Sequence, residues 1–326
     1  MNPAHLLVLK PSSLGDIVHT LPAVAALRAR FPGTRITWMV NPEWAPLLKG
    51  NPHIDGTIVF PRANFRGPAG WLRFRRWRAG LRESIRPDLV TDFQGLLRTA
   101  LVARAFRGVP VHGLSDAREG ARFLQTHTVR VDAGAHAVER YLALASALGA
   151  STCGLPRFDL PPGSVPSAML PGEPFVVLHP FSRGRGKSLA PEAVAAFCRA
   201  LGRPVVLAGR ADIPVTALPD NVTDLLNRTS ISELIWLLRR AAFVVSVDSG
   251  PMHLAAAVNG QLLGIHSWSD PCRVGPYRPG AHVWKGRSFF PALDPTSSAA
   301  GSSLPDADDA EAIARWVNTR LDGTAA

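Results

Sequence analysis

Three short stretches carry residue types able to bind or act on a substrate, each after an apolar run that reads as a strand. The first, Lys10-Pro-Ser-Ser-Leu-Gly-Asp16, is made of small residues and closes on an acid. An acid there has two open readings, a cap on the following helix or a group that does chemistry. The second, His179-Pro-Phe-Ser-Arg-Gly-Arg-Gly-Lys187, is glycine-rich and cationic, which suits an exposed loop or the cradle of an anion. The third, Val247-Asp-Ser-Gly-Pro-Met-His253, passes from an apolar strand into a helix through Asp248, Ser249 and Gly250. Free amides at such a start, helped by Ser249, cradle a phosphate. An N-cap with Pro251 at the first helical position is equally compatible with a ligand there. His253 alone reads as an interior histidine.

Other nucleotide and metal signatures fail. No GxGxxG opens a helix after a strand. Ser182-Arg-Gly-Arg-Gly-Lys-Ser188 ends like a phosphate-binding P-loop, but Phe181 stands where the leading glycine belongs. The single Asp-x-Asp, Asp306-Ala-Asp308, sits in an acidic helix start and reads as a capping cluster, so no metal site is assigned. Cys153, Cys198 and Cys272 lie far apart and read as reduced thiols of a cytoplasmic protein.

The elements that must position these loops follow from periodicity. Strands are predicted at His5–Leu9, Arg35–Val40, Thr57–Phe60, Asp88–Asp92 and Val109–His112. Helices are predicted from Ile17 to Pro32, near Glu43–Leu48, and over Trp71–Ser84, Leu96–Phe106 and Val138–Leu148. Pro22 is expected in the first turn of its helix or at a kink. After a Pro/Gly-rich stretch the alternation restarts with strands Phe175–Leu178, Pro204–Ala208, Phe243–Val247 and Gln261–Ile265 and helices Pro191–Leu201, Ile231–Arg239 and Met252–Val258. A last helix carries Ile313, Trp316, Val317 and Leu321. Alternating strands and helices imply parallel sheets covered on both faces. The expected organisation is an N-terminal Rossmann-like domain 1–160, a linker 161–174, a second Rossmann-like domain 175–304 and a C-terminal helix and tail 305–326, with both sheets presenting loops to a cleft.

The chain's 326 residues suffice for two such domains, and 46% hydrophobic residues against 19% charged exclude disorder. Met1–Lys10 lacks a basic region and a cleavage site, and no other segment reaches the ~18 apolar residues of a membrane span, so a soluble or peripheral protein is expected. The net charge of +11 points to an anionic partner. The excess is local: Arg62 to Arg86 holds eight arginines and one acid, Glu83, interleaved with Phe65, Trp71, Phe74 and Trp77. A nucleic-acid-binding protein is a competing reading of that charge, but no nucleic-acid-binding module is recognisable.

Five segments in order resemble the ADP-heptose:lipopolysaccharide heptosyltransferases, glycosyltransferase family 9 of the GT-B class. They are Ser12-Ser-Leu-Gly-Asp-Ile-Val-His-Thr-Leu-Pro22, Asp92-Phe-Gln-Gly95, His136-Ala-Val-Glu-Arg140, Val247-Asp-Ser-Gly-Pro-Met-His-Leu254 and Ser269-Asp-Pro-Cys-Arg-Val-Gly-Pro-Tyr277. The stretch from Asp92 through Ala117-Arg-Glu119 to Arg140 looks most like the heptosyltransferase I branch; heptosyltransferase II or a related transferase is the alternative. The chain departs from the pattern at Phe181-Ser-Arg-Gly-Arg-Gly186 and is longer than it between Pro61 and Trp71.

The resemblance implies a GT-B fold and an inverting transfer from ADP-L-glycero-D-manno-heptose to the Kdo of Kdo-lipid A, with neither metal nor other cofactor. By that resemblance Asp16 is the base on the acceptor hydroxyl and Lys187 meets the charge of the departing ADP. Ser12, Ser13, Gly15, Ser182, Arg183, Asp212, Asp248, Ser249, Gly250 and His253 fall to the donor. Arg62, Arg66, Arg118 and His136 fall to the acceptor, whose carboxylates and phosphates suit guanidinium groups. The expected location is the cytoplasmic face of the inner membrane. There the helix from Trp71 either rests on anionic lipid or is an ordinary solvated basic helix.

Overall fold

Short runs of valine, leucine and isoleucine become wholly buried strands, because helices cover both faces of each sheet. The computed structural model describes residues 2–294 and 301–323. The chain divides into two units, Met1–Leu160 and Pro161–Ala326.

In the first unit six parallel strands, β1 (His5–Leu9), β2 (Arg35–Val40), β3 (Gly56–Val59), β4 (Leu89–Asp92), β5 (Val111–Leu114) and β6 (His127–Val129), lie in the order β3-β2-β1-β4-β5-β6. Helices α1 (Leu14–Arg30), α2 (Gly70–Ser84), α3 (Leu97–Ala103) and α4 (Ala137–Ala147) connect or cover them. Leu6, Leu7, Val8 and Leu9 of β1 are fully buried at the centre.

The second unit repeats the plan. Strands β7 (Val176–His179), β8 (Val205–Gly209), β9 (Val222–Leu226), β10 (Phe243–Val247), β11 (Leu262–Ile265) and β12 (His282–Lys285) are parallel, and β13 (Ser288–Pro291) closes one edge antiparallel, in the order β13-β12-β11-β10-β7-β8-β9. Helices α5 (Pro191–Leu201), α6 (Ile231–Arg240), α7 (Gly250–Val258), α8 (Pro271–Val274) and α9 (Ala307–Gly323) complete it, with Ala310, Ile313, Ala314 and Val317 of α9 sealing the core beside α5.

Both sheets reverse their winding between two central strands, β1 and β4 in one and β7 and β10 in the other. Ligands bind at the carboxyl ends of strands where winding reverses. The three loops read as chemical leave the carboxyl ends of β1, β7 and β10, so each stands at a switch point.

Some expectations need correction. Of the two readings of Pro22 the first turn is overturned: the residue lies well inside α1, where the carbonyl of Val18 loses its intrahelical donor. The helix expected to run to Phe106 stops at Ala103, and the strand expected from Val109 begins after Pro110 and runs to Leu114. The segment Pro161–Pro174, expected as a linker, packs on α6: Ser164 N donates to Ser232 O at 3.1 Å and Arg239 Nη2 to Pro161 O at 3.2 Å. Gly163 (φ +85°) permits this, since a Cβ there would meet Ser232 O and Trp236 N at 2.6 Å.

Candidate active site

In the first unit the chemistry gathers around Asp16. The β1 strand ends at Leu9, and Ser13 caps α1, which places Asp16 in the helix's first turn. Asp16 Oδ2 accepts from the Ser13 amide at 3.0 Å and the Ser13 hydroxyl at 2.7 Å. Asp16 Oδ1 accepts from the Tyr141 hydroxyl of α4 at 3.2 Å and faces Lys10 Nζ at 3.6 Å. The contacts to the helix start and those to Lys10 and Tyr141 therefore fall on different oxygens of one carboxylate. Burial pushes its pKa up, but Lys10, Ser13 and Tyr141 outweigh that and bring it to about 2. The side chain stays 40% exposed, so an ionised carboxylate meets solvent.

The neighbours of Asp16 are held from behind. Lys10 is buried and donates to Tyr141 Oη at 2.7 Å and Phe93 O at 3.0 Å. Asp92, at the end of β4, is fully buried and accepts from the amides of Gln94 and Gly95 at 3.0 Å and from the Thr99 hydroxyl at 3.1 Å. Burial raises its carboxyl to about 6 despite these donors. The turn it shapes has a purpose: Gln94 Oε1 accepts from Ser12 N at 3.3 Å, and Gly95 O accepts from Arg118 N at 2.8 Å. Gly95 has φ +61°, and a Cβ there would press on the Ala117 backbone at 3.2 Å.

Arg118 stands exposed beside Glu119, a non-glycine residue at φ +57°. Arg98 of α3 feels both Arg62 and Arg118. Its guanidinium is disfavoured first by burial and then by these two charges, with Glu119 opposing. Its Nε is buried with no hydrogen-bond partner. This cationic cluster suits a polyanion. Sequence reasoning assigned Arg62 and Arg118 but missed Arg98, whose signal was only a charge in a helical pattern. Arg66 is exposed at the end of a 3₁₀ turn, and its carbonyl accepts from Arg73 at 2.8 Å. His136 is buried, and its Nδ1 caps α4 by accepting from Val138 N at 3.1 Å.

In the second unit Lys187 Nζ lies 2.5 Å from Asp248 Oδ2, with 17% and 6% of the two side chains exposed. Burial disfavours the Asp248 carboxylate, while His266, Lys187, Ser269 and His253 favour it, and the balance holds its pKa low. His266 is itself lowered to about 4 by burial, so at neutral pH its ring brings no charge to Asp248. The Lys187 loop is closed by Ser182 N donating to Ser188 Oγ at 2.9 Å and anchored by Ser267 Oγ donating to Gly186 O at 2.7 Å. The Ser182 hydroxyl accepts from Gly184 N at 3.3 Å within the loop. Arg183 is exposed.

Ser249 caps α7, with Gly250 and Pro251 opening it, and His179, lowered to about 4 by burial, lies 3.5 Å from the Ser249 hydroxyl. His253 is buried within α7 beside Asp248. Asp212 is exposed in the loop after β8. Asp306 accepts from Asp309 N at 2.9 Å and pairs with Arg287, as a cap does. No group of three or more metal-binding side chains occurs among the described residues. Sequence reasoning passed over His266 and Trp268, since neither belongs to a nucleotide motif. Pockets beside Pro22, Ala25 and His53, and beside Arg104, Arg107 and His127, include none of the assigned residues.

Comparison with known proteins gives a consistent answer. The model of glycosyltransferase family 9 (heptosyltransferase) matches residues 75–170 and 208–294, more than half of the chain. Lipopolysaccharide heptosyltransferase 1 of Pseudomonas aeruginosa is 30% identical over 89% of this chain and 86% of its own length. E. coli heptosyltransferase WaaC with ADP shares the fold at TM-score 0.76 and 24% identity, covering 97% of this chain and 99% of that one. E. coli ADP-heptose lps heptosyltransferase II does so at TM-score 0.77 and 22% identity, covering all of both chains.

Proposed function

The chain belongs to glycosyltransferase family 9, the heptosyltransferases, and from that premise we propose that it moves heptose from ADP-heptose to the Kdo of Kdo-lipid A, with inversion, in lipopolysaccharide inner-core synthesis. The observation that carries this reading is the Asp16 carboxylate, held ionised at about 2 yet 40% exposed at a switch point.

A carboxylate at about 2 is too weak a base to strip an alcohol in advance. The proton therefore leaves after bond formation begins: the acceptor oxygen gains positive charge as it bonds to the anomeric carbon, and Asp16 takes its proton. The bond from the anomeric carbon to the diphosphate breaks with its electron pair going to ADP. Lys187 meets that charge, helped by Arg183 and the amides at the start of α7. A cationic side chain thus does what a divalent ion does elsewhere, so the reaction is assigned no metal. Asp248 holds the ammonium in place. Arg62, Arg98 and Arg118 take the acceptor's anionic groups.

The acceptor is a lipid, and α2 suits the anionic cytoplasmic face of the membrane that carries it. Trp71 and Leu72 are 55% and 52% exposed. None of the eight arginines from Arg62 to Arg86 joins an ion pair among the described residues. No described helix is long and apolar enough to cross a membrane.

The test is transfer by purified protein from ADP-heptose to Kdo-lipid A in EDTA, with heptosylated Kdo-lipid A as a second acceptor. Heptosylated product and ADP are expected from the first. Inactivity with every ADP-sugar defeats the reading, and preference for the second acceptor moves the chain to another branch. Asp16→Ala is expected to lose about 10²–10⁴ in kcat with donor affinity retained.

A further inference from the structure

We propose that Trp268 is the platform on which the donor's sugar ring rests, a contact that rests on the ADP-sugar reading above and sets how the enzyme tells ADP-heptose from ADP. Large aromatic side chains are costly to leave in water, yet Trp268 is 60% exposed. It is also held in position. Its indole Nε1 donates to Arg185 O at 3.2 Å, and its neighbour Ser267 anchors Gly186. The Lys187 ammonium lies 4.5 Å from the ring centroid, at the same time as it contacts Asp248. The backbone and side chain that fix the ring therefore also place it next to the cation assigned to the diphosphate.

Strand order says which part of the donor lies there. At the carboxyl edge of the second sheet the loops follow the order β11, β10, β7, β8. In doubly wound sheets the pyrophosphate sits at the switch point, here between β7 and β10, and the nucleoside extends over the strand next to the first, here β8 with Asp212 after it. The rest of the donor must extend the other way, over β10 and β11. Trp268 lies three residues past Ile265, the last residue of β11. A pyranose has a face of C–H groups carrying partial positive charge, and an aromatic face is negative, so the two stack. Covering the ring with sugar also removes apolar surface from water, which ADP alone does not do.

The experiment compares equilibrium binding of ADP and of ADP-heptose by calorimetry in wild type, Trp268→Ala and Trp268→Phe, with melting temperatures as the check on folding. Trp268→Ala should weaken ADP-heptose by about tenfold, or 1.4 kcal/mol, leave ADP within about twofold, and raise KM for the donor more than it lowers kcat. Trp268→Phe should restore most of the lost affinity. Equal weakening of both ligands overturns the proposal, because it assigns Trp268 only to holding the Lys187 loop. Unchanged binding of both overturns it as well. A wild type that binds ADP but never ADP-heptose defeats the transferase reading itself, which separates the two failures.

Discussion

Lys10 and Asp16 form an ion pair of unequal exposure: Nζ stands 3.6 Å from Oδ1, with 2% of the lysine side chain exposed and 40% of the acid. Burial lowers the lysine's pKa, and Asp16 and Asp92 raise it, so the buried ammonium depends on the acids around it. Lys10 touches no solvent-facing surface and acts through Asp16, which makes it a positioning residue. Lys10→Met keeps the length of the side chain and removes the charge. The acid limb of kcat/KM should then move up by about one unit, the signature of Asp16 losing its main cation. An acid limb identical to wild type in a folded variant would assign the low pKa to Ser13 and Tyr141 alone.

Lys187 has a different character, since its partner Asp248 is more buried than it is. Removing the ammonium leaves a carboxylate with 6% exposure that has lost its ion-pair partner, and His266, neutral above about 4, does not replace it. Lys187→Ala should therefore lower kcat by about 10²–10³ through lost leaving-group stabilisation and also weaken ADP. Lys187→Ala/Asp248→Asn, which removes both charges, should recover stability but not kcat. Full turnover in the single variant would transfer the role to Arg183 or Arg185.

How much of this was legible in the sequence depended on burial. Central strands such as His5–Leu9 and Phe243–Val247 are continuous apolar runs, and their predicted bounds match the structure. The edge strands β6 and β9 went unread because one side of each meets solvent and polar residues interrupt them, as in His127-Thr-Val129 and Val222-Thr-Asp-Leu-Leu226. The β12–β13 hairpin turns on Gly286-Arg287 at φ +57° and +64°, as a two-residue turn demands, but Gly-Arg is not a pair that announces such a turn in sequence. In the site, loops at strand ends were visible as small-residue clusters. The partners that set their chemistry were not: Tyr141 reaches Asp16 across 125 positions, and Trp268 reaches Lys187 across 81. Such separations leave no periodic trace.

Buried titratable groups make stability depend on pH in two opposing ways. His179 and His266 are held at about 4 against about 6.5 in an unfolded chain, so their contribution is full above 6.5 and is lost as pH falls toward 4. Asp92, raised to about 6 from 3.8, prefers its proton when folded, so its contribution is full below 3.8 and is lost as pH rises through 6. Asp92→Asn can keep both backbone contacts on Oδ1 and donate to Thr99 from its amide. Its melting temperature relative to wild type should climb between pH 4 and 7, toward about 3 kcal/mol of gained stability. A difference that stays flat across that range would mean the carboxyl titrates alike in both states.

The membrane reading of α2 separates by variant chemistry. Phe74 and Leu81 face the core, and Phe65, Phe60 and Trp77 form an aromatic cluster around Phe74 with ring centroids 5.3–6.3 Å apart. That anchorage leaves Leu72, Arg75, Arg76 and Arg82 on the outside, so they can be changed without opening the core, while the exposed Trp71 stacks on Phe74 at 5.6 Å and its loss also removes that contact. Each arginine near an anionic surface contributes about 1 kcal/mol, so Arg75→Glu/Arg76→Glu should cut co-sedimentation with phosphatidylglycerol vesicles by well over tenfold. Trp71→Ser/Leu72→Ser should weaken binding at high salt, where the charge contribution is screened and apolar insertion dominates. Both variants should keep full turnover on an acceptor stripped of its acyl chains, which needs no membrane. Wild type that binds neutral and anionic vesicles alike would leave α2 an ordinary solvated helix, whatever the transferase assay shows.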